Sequence, residues 1–406
     1  MHILAEHYRS EFLATPQLLR IDRANGPGGP VPTLLLKAST LLLKYIVQGC
    51  ELELVLAPCN GGLLYGLRVA DDPAKLATIW SIGEREVERQ ALLALVRAKQ
   101  CPIFLFNELA LNAAWTDVAI HIPDAASELL SIAEFRAADY DLIKDTAGSL
   151  IQGLSVQAKH VGCFRIAVRP IHDWKETVNH YITNRGVASP VHLFNSDEGG
   201  QQEQLALWLT DNLQFSGAVH SPQVPKGKGT RELTDLLLSH QFGTVLVESK
   251  ALTIFNRSRL PSRDALASDV EKHIDKAVAQ LRGAIRQLRQ GALVCDRLGT
   301  PIEVERTHPM HAIILIPEFD LVQNPRKYDL AFVREFMSAT KGFIHLLDVS
   351  ELLRVVQSAE MIAERGERTT RLMAFDFYLM ERAKFSAKRG TLCVEILFRR
   401  PDDVAK

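Results

Sequence analysis

Two carboxylates and a lysine interrupt apolar, strand-like sequence between residues 232 and 250. Asp235 lies in the first apolar segment, and Glu248, Ser249 and Lys250 follow the run Val245-Leu246-Val247. Two carboxylates a few ångströms apart repel each other and any phosphate, so the pair is costly unless a divalent cation binds between them. These residue types therefore predict a metal-dependent site that cleaves phosphodiester bonds.

The surrounding sequence predicts the hairpin that would bring these side chains together. Residues 232–238 and 244–247 are strand-like, and residues 239–243 supply turn residues between them. A turn centred near Gln241 places Asp235 opposite Val247, within one residue of Glu248. Because side chains alternate along a strand, Glu248 and Lys250 share one face. The hairpin thus gathers an Asp, a Glu and a Lys.

Each member of this cluster has a predicted chemical role. A hard ion such as Mg²⁺, with Mn²⁺ as a substitute, would be held by the carboxylates of Asp235 and Glu248 and by the backbone carbonyl of Ser249. The ammonium of Lys250 would orient or help to deprotonate an attacking water and offset charge in the transition state. The alternative interpretation is a solvated set of charges that protects a sheet edge.

The pattern resembles the PD-(D/E)XK nuclease superfamily, whose signature is an acidic residue on one strand and Glu-x-Lys on the next. Asp235, Glu248 and Lys250 match it, with Ser249 as the x. The resemblance implies a restriction-endonuclease-like αβββαβ core over roughly residues 196–356. The predicted elements follow this order: a helix over 197–213, a short strand at 217–219, the hairpin, a helix over 269–290 and a strand over 311–316.

The resemblance also implies further site residues on the two helices. A Gln or Lys on the second helix faces the site in many such families, and we prefer Gln280 to Lys276 because Gln280 lies at the edge of the apolar stripe. Ala284 stands where the family has an aromatic residue four positions after this Gln. The acidic residue on the first helix is either Glu198 or Glu203, between which helical phase does not choose.

A basic segment follows the strand that carries Lys250. Arg257, Arg259 and Arg263 lie in residues 256–263, where Pro261 and the flanking serines predict an exposed loop. We predict that these arginines contact the nucleic-acid backbone beside the metal site. The alternative is a solvated loop with incidental charge.

Length and composition predict an α/β protein of more than one domain. We place an α+β N-terminal domain at residues 1–189, for recognition, regulation or oligomerisation, and the nuclease-like domain with a C-terminal helix and strand at residues 190–406. Residues 174–183 are predicted to be helical, and residues 391–399 to form the last strand. The net charge of −1 does not indicate the strongly basic surface that is typical of nucleic-acid-binding proteins. Residues 1–200 hold 18 Lys and Arg against 22 Asp and Glu, and the rest of the chain is slightly basic.

These features predict a DNA endonuclease in bacterial antiviral defence, restriction or DNA repair. The expected partners are nucleic acid, with DNA favoured, and a second copy of the chain, without a membrane. The six cysteines form no CxxC pair, and the N-terminus lacks the basic-then-apolar order of a signal peptide, so we expect a cytoplasmic protein. Two alternatives stay open: an inactive nucleic-acid-binding or assembly module on the same fold, and an RNA-directed nuclease.

Overall fold

The computed structural model describes most of the chain and divides it into two compact units. The described residues are 4–26, 28–73, 76–136, 140–155, 162–183, 188–213, 217–241, 243–257, 259–366 and 368–394. The first unit comprises Met1–Asn179, His192–Phe194 and Ser258–Ser262. The second comprises His180–Val191, Asn195–Arg257 and Arg263–Lys406. Helices and sheets occur in both units, so the mixed α/β class is as predicted.

The elements are numbered in chain order. The helices are α1 (Glu6–Ala14), α2 (Thr40–Val47), α3 (Glu86–Ala98), α4 (Asp124–Ile132), α5 (Tyr140–Ser155), α6 (Glu198–Asp211), α7 (Arg263–Arg289), α8 (Leu330–Thr340), α9 (Val349–Arg365) and α10 (Arg371–Arg389). The strands are β1 (Leu18–Gly26), β2 (Gly29–Lys37), β3 (Leu52–Cys59), β4 (Gly62–Val69), β5 (Ala77–Ile82), β6 (Gln100–Phe106), β7 (Asn112–Ile120), β8 (Phe164–Pro170), β9 (Lys175–Glu176), β10 (Asn179–Ile182), β11 (Ala188–Val191), β12 (Val219–His220), β13 (Gln223–Lys226), β14 (Gly229–Glu232), β15 (Leu236–His240), β16 (Gly243–Ser249), β17 (Val294–Cys295), β18 (Pro301–Ile302), β19 (His311–Ile316) and β20 (Phe343–Asp348).

The first unit is built on one large sheet with the strand order β1-β2-β6-β7-β8-β3-β4-β5, and β9 pairs with β7. Only the β2–β6 pairing is parallel among the described strands of this sheet. Leucine-rich strands supply a core in which Leu36, Leu54 and Leu67 are fully buried. Residues 174–183 were predicted to be helical, and that prediction is wrong, because β9 and β10 occupy them and satisfy their backbone groups by pairing with other strands.

The second unit is built on a five-stranded sheet with the order β12-β15-β16-β19-β20. The β15–β16 hairpin is antiparallel, whereas β16, β19 and β20 are parallel to one another. Every residue of β16 is buried, as expected for a central strand with both faces covered by other elements. The apolar stripe predicted on α7 is confirmed, since its five members are buried: Ile274, Val278, Leu281, Ile285 and Leu288.

A second, smaller sheet in this unit has the order β14-β13-β17-β18. We call it the accessory sheet. The sequence predicted one strand over residues 232–238, but the structure ends β14 at Glu232 and starts β15 at Leu236. The two segments belong to different sheets, and Asp235 lies between them.

Three further observations concern the chain as a whole. All six cysteines are unpaired thiols, of which Cys59 and Cys101 are buried. No helix among the described residues has the length and apolar character needed to cross a membrane. Of the strand predicted over residues 391–399, residues 395–399 lie outside the described residues, and Thr391 forms an isolated bridge with Asp329.

Candidate active site

The hairpin of β15 and β16 brings the predicted cluster together at the carboxyl end of β16. Leu236 pairs with Val247, so the next position of the same register sets Asp235 opposite Glu248. Glu248 is 1% exposed and Asp235 is 9% exposed. Two acidic side chains are therefore held side by side and largely out of water.

Three short contacts define the cluster. The backbone N–H of Ser249 donates a hydrogen bond to Oδ2 of Asp235 at 2.6 Å. Nζ of Lys250 lies 2.7 Å from Oε2 of Glu248 and 3.9 Å from Oδ2 of Asp235. One ammonium thus serves both carboxylates, and the cluster carries a net negative charge when both are ionised.

Burial and mutual repulsion change the acidity of both carboxyl groups. Burial, and then the charge of Glu248, raise the pKa of Asp235 to about 7. Burial also raises the pKa of Glu248, although the neighbouring Lys250 opposes that rise. The cluster is a place where a second positive charge would be stabilising.

Helix α6 supplies polar side chains to the same end of the sheet. Glu198, one of the two candidates for the helix acid, accepts hydrogen bonds from the backbone N–H groups of Ile254 and Phe255, the latter at 2.9 Å, so it orders the segment after β16. Glu203, the other candidate, lies close enough for its charge to raise the pKa of Asp235. Oε2 of Glu203 is also 3.1 Å from Nε2 of His220. The charge of Glu203 thus acts on Asp235, whereas the contacts of Glu198 are with the backbone that follows β16.

Gln202 is a buried residue of α6 that the sequence reasoning missed. Its Nε2 donates to Oγ of Ser249 and to the carbonyl of Leu315, both at 3.1 Å. The backbone N–H of Lys250 donates to the same carbonyl at 2.8 Å. Gln202 thus fixes the end of β16 against β19. It stands one residue before Glu203 in the sequence, but helical phase alone does not show that its side chain faces the sheet.

His273, a half-buried residue of α7, lies within electrostatic range of Lys250. Burial lowers its pKa, and the charges of Lys250 and Lys276 lower it further. Nδ1 of His273 is buried without a hydrogen-bond partner among the described residues. Gln280 is exposed two helical turns beyond His273, and Lys276 is exposed one turn beyond it. The sequence reasoning missed His273 because it sought an amide or an ammonium on this helix.

Two of the three predicted phosphate-contacting arginines are engaged with carboxylates. The guanidinium of Arg257 donates to Asp269 at 2.8 Å and to the carbonyl of Thr253 at 2.7 Å. Arg263 is the first residue of α7, not a loop residue, and it pairs with Glu318.

Arg259 is exposed. It lies in the short segment Ser258–Ser262, which is part of the first unit. Arg257 and Arg263 thus hold the start of α7 in place. The loop ends earlier than the sequence suggested, because α7 begins at Arg263 and not at residue 269.

The donor set was tested for its fit to a metal ion. No three His, Cys, Asp or Glu side chains within the described ranges converge closely enough to hold a metal ion by themselves. Mg²⁺ does not require such a cage, because it is commonly bound through one or two carboxylates, water and substrate phosphates. Ser249 directs its N–H toward Asp235, and in an extended strand the carbonyl of the same residue points to the same side. Two carboxylates and this carbonyl fit Mg²⁺ or Mn²⁺.

A second polar cluster lies at the other end of the same sheet. Nδ1 of His311 is 2.9 Å from Nε2 of His345, and Nε2 of His311 is 3.3 Å from Oδ1 of Asp376. Nε2 of His240 is 3.7 Å from the same oxygen. Burial, the charge of His311 and the charge of Arg382 hold the pKa of His345 well below its ordinary value. This cluster is built from four separate elements, so its spacing in sequence carries no signal.

No protein-family model matches the chain, and no curated protein and no solved structure matches it either. The candidate site therefore rests on its own geometry.

Proposed function

We propose that this protein is a metal-dependent nuclease of the PD-(D/E)XK type that cleaves DNA internally, in a setting of antiviral defence, restriction or repair. A single observation carries the proposal. At the carboxyl end of the buried central strand β16, Nζ of Lys250 lies 2.7 Å from the carboxylate of Glu248 and 3.9 Å from that of Asp235, which directly precedes β15. The order α6, β12, β15, β16, α7, β19 along the chain supports the resemblance.

The electrostatics of the cluster support a bound cation. A carboxyl group whose pKa is raised to about 7 loses its proton reluctantly in the metal-free protein. A divalent cation favours the ionised form, which makes binding of the metal and release of the proton a single coupled event. When bound, Mg²⁺ would polarise the phosphate oxygens and lower the pKa of a coordinated water.

The side chains of the chain itself have defined tasks in this proposal. Asp235 and Glu248 would hold the cation, and the hydrogen bond from the N–H of Ser249 fixes the orientation of Asp235. Lys250 is held by Glu248 at 2.7 Å, which places a positive charge where an attacking water and the developing negative charge would meet. Gln202 keeps the end of β16 from shifting.

The alternative from another class is a nucleic-acid-binding or assembly module without turnover. The close approach of three chemically competent groups favours activity, because a module that only binds would gain nothing from burying two carboxylates together. The same site would serve an RNA-directed nuclease, since a metal held by this cluster would act on the phosphate, which DNA and RNA share.

One experiment tests activity, polymer and mode of cleavage together. The protein is incubated with supercoiled plasmid, linear duplex, single-stranded DNA and RNA, in Mg²⁺, in Mn²⁺ and in EDTA. We expect metal-dependent nicking or linearisation of the closed circle, which an exonuclease cannot achieve. Glu248→Gln should be inactive, whereas Glu303→Gln, which changes an exposed carboxylate of the same unit, should cleave as the parent does. Equal cleavage by Glu248→Gln and the parent would show that this site is not the catalytic one.

A further inference from the structure

The chain that precedes Asp235 forms an exposed basic hairpin. β13 and β14 pair antiparallel, with Val224 opposite Arg231 and Lys226 opposite Gly229. Gly227 and Lys228 form the two-residue turn, and the φ of +60° at Gly227 is the value that a tight hairpin turn with glycine in first place requires. We call residues 223–232 the basic hairpin.

The basic hairpin is connected to the site by its own backbone. The N–H of Leu233 donates to the carbonyl of Pro222, and the N–H of Ser221 donates to the carbonyl of Asp235 at 2.7 Å. Glu232, at the base of the hairpin, lies close enough for its charge to raise the pKa of Glu248. A polymer seated on the metal site would therefore have the hairpin beside it.

The tip of the hairpin is cationic and open to solvent. Lys226, Lys228 and Arg231 are all exposed, and the segment between Lys226 and Arg231 holds no acidic residue. Within the described part of the chain, none of the three is paired with a carboxylate. This distinguishes them from Arg257 and Arg263, whose charges are already engaged.

The spacing of these cations suits a nucleic-acid backbone. Lys226 and Arg231 are diagonal neighbours across the ribbon, about 7–8 Å apart at their Cβ atoms. Arg231 lies four residues from Asp235, so the two Cα atoms are at most about 14 Å apart. Duplex DNA presents a negative charge every ~1.7 Å along its axis, so a duplex at the metal site offers several phosphates over that span. Arg297, from the turn between β17 and β18, adds a cation at the bend, where it donates to Oγ of Ser221 at 2.5 Å.

We propose that the basic hairpin is the surface that grips the phosphate backbone of the nucleic acid beside the active site, through Lys226, Lys228 and Arg231. This rests on the proposed nuclease function, because the partner is inferred from the chemistry of the adjacent site. The competing role for these cations is to protect the edge strand β14 from pairing with another chain. That role requires no interaction with phosphate.

Binding in the absence of cleavage tests the proposal. The parent for this experiment is Glu248→Gln, and the probe is a short fluorescein-labelled DNA duplex whose anisotropy is followed over a series of potassium chloride concentrations. The triple variant Lys226→Gln, Lys228→Gln, Arg231→Gln is compared with a control triple, Arg334→Gln, Arg365→Gln, Lys388→Gln, which removes three exposed cations from helices α8, α9 and α10 of the same unit. Melting temperatures of all the proteins confirm folding.

We expect the hairpin triple variant to bind more weakly than the parent and to flatten the dependence of log K on log salt by about 0.9 for each phosphate that the hairpin no longer neutralises. The control triple should keep the slope of the parent. An unchanged slope in the folded hairpin variant, or a parent that does not bind the duplex, would overturn the proposal.

The outcome for the hairpin is separable from the outcome for the catalytic site. Metal-dependent cleavage by the unmodified protein together with an unchanged slope would keep the nuclease function and reject the hairpin. A flattened slope in a protein that never cleaves nucleic acid would keep the binding surface and reject the activity.

Discussion

Nζ of Lys250 lies 2.7 Å from Oε2 of Glu248, its neighbour two residues earlier on the same strand. Residues two apart on a strand share a face, and here that face also carries Asp235 from the paired strand. The lysine is thus the local counter-charge for two buried carboxylates. Removal of the lysine should lower the stability of the metal-free protein, whereas removal of either acid should raise it.

Isosteric substitution of the acids should abolish cleavage without unfolding the protein. Asp235→Asn keeps an oxygen that accepts from the N–H of Ser249, and Glu248→Gln keeps the shape of the buried side chain. Each loses an ionic metal ligand, so we expect turnover on plasmid to fall by about a thousandfold or more. Single-turnover rates in Mg²⁺ measure this, and circular dichroism checks that both variants are folded.

Lys250→Met should also stop cleavage, but it should lower the melting temperature of the metal-free protein. It leaves two buried carboxylates without their counter-charge, whereas Asp235→Asn removes one of the repelling charges. Differential scanning calorimetry in EDTA at pH 8 compares the two. A lower melting temperature for Asp235→Asn than for Lys250→Met would contradict this account of the cluster.

The stability of the metal-free protein should fall as the pH rises through the titration range of Asp235. Its pKa is about 7 in the folded protein and 3.8 ordinarily, so the folded state binds the proton more tightly. The contribution is therefore most favourable below pH 3.8 and is lost as the pH rises from 3.8 to about 7. Asp235→Asn should gain stability over the parent across this window, by at most about 4 kcal/mol at pH 8, because the titration of Asp235 is shared with Glu248. Urea unfolding in EDTA measures the difference, and saturating Mg²⁺ should reduce it.

His273→Ala should lower turnover more than Gln280→Ala does. His273 lies close enough to Lys250 for the two charges to affect each other, whereas Gln280 is exposed two turns farther along α7. We expect about a tenfold loss for His273→Ala, because a displaced lysine no longer meets the attacking water. Gln280→Ala should cost less, and Lys276→Ala serves as the matched control on the same helix. A larger loss in Gln280→Ala than in His273→Ala would mean that the predicted glutamine, and not the histidine, serves the site.

Arg257→Ala and Arg263→Ala should destabilise the fold while leaving the salt dependence of DNA binding unchanged. Each arginine is paired with a carboxylate, Asp269 for the first and Glu318 for the second. The Arg263–Glu318 pair is the more buried, so Arg263→Ala should cost more, about 1–3 kcal/mol. Arg259→Ala is the control, since Arg259 is exposed. Urea unfolding and salt-dependent anisotropy separate the two effects.

Acid should destabilise the protein through the buried histidine pair. The pKa of His345 lies well below its ordinary value of 6.5, so the folded state keeps this imidazole neutral. The stability that it contributes is present above pH 6.5 and is lost as the pH falls below that value. The free energy of unfolding of His345→Gln, measured relative to that of the parent, should therefore be higher below pH 6 than at pH 7.5. The exposed His308, changed to Gln, is the control.

The sequence by itself determined that Asp235, Glu248 and Lys250 come together beside a two-stranded hairpin. A turn between two strand-like, largely apolar runs fixes the register of a hairpin, because a slip of one residue would turn the buried face to solvent. That is why Asp235 was expected within one residue of Glu248, and why Glu248 and Lys250 were expected on one face. The buried stripe of α7 was predictable for the same reason, since its period is set by the helix.

Only the tertiary structure decided which polar groups from other elements join the cluster. The packing of α6 on the end of β16 brings the charge of Glu203 within range of Asp235. The packing of α7 brings His273 within range of Lys250. Local periodicity predicts neither arrangement. The ion pairs were not predictable from the sequence either. Arg257 pairs with Asp269 and Arg263 pairs with Glu318, whereas nothing in the sequence around Arg259 distinguishes it from these two arginines. Local patterns encode the period and register of an element, whereas the partner of a side chain depends on which elements meet in space.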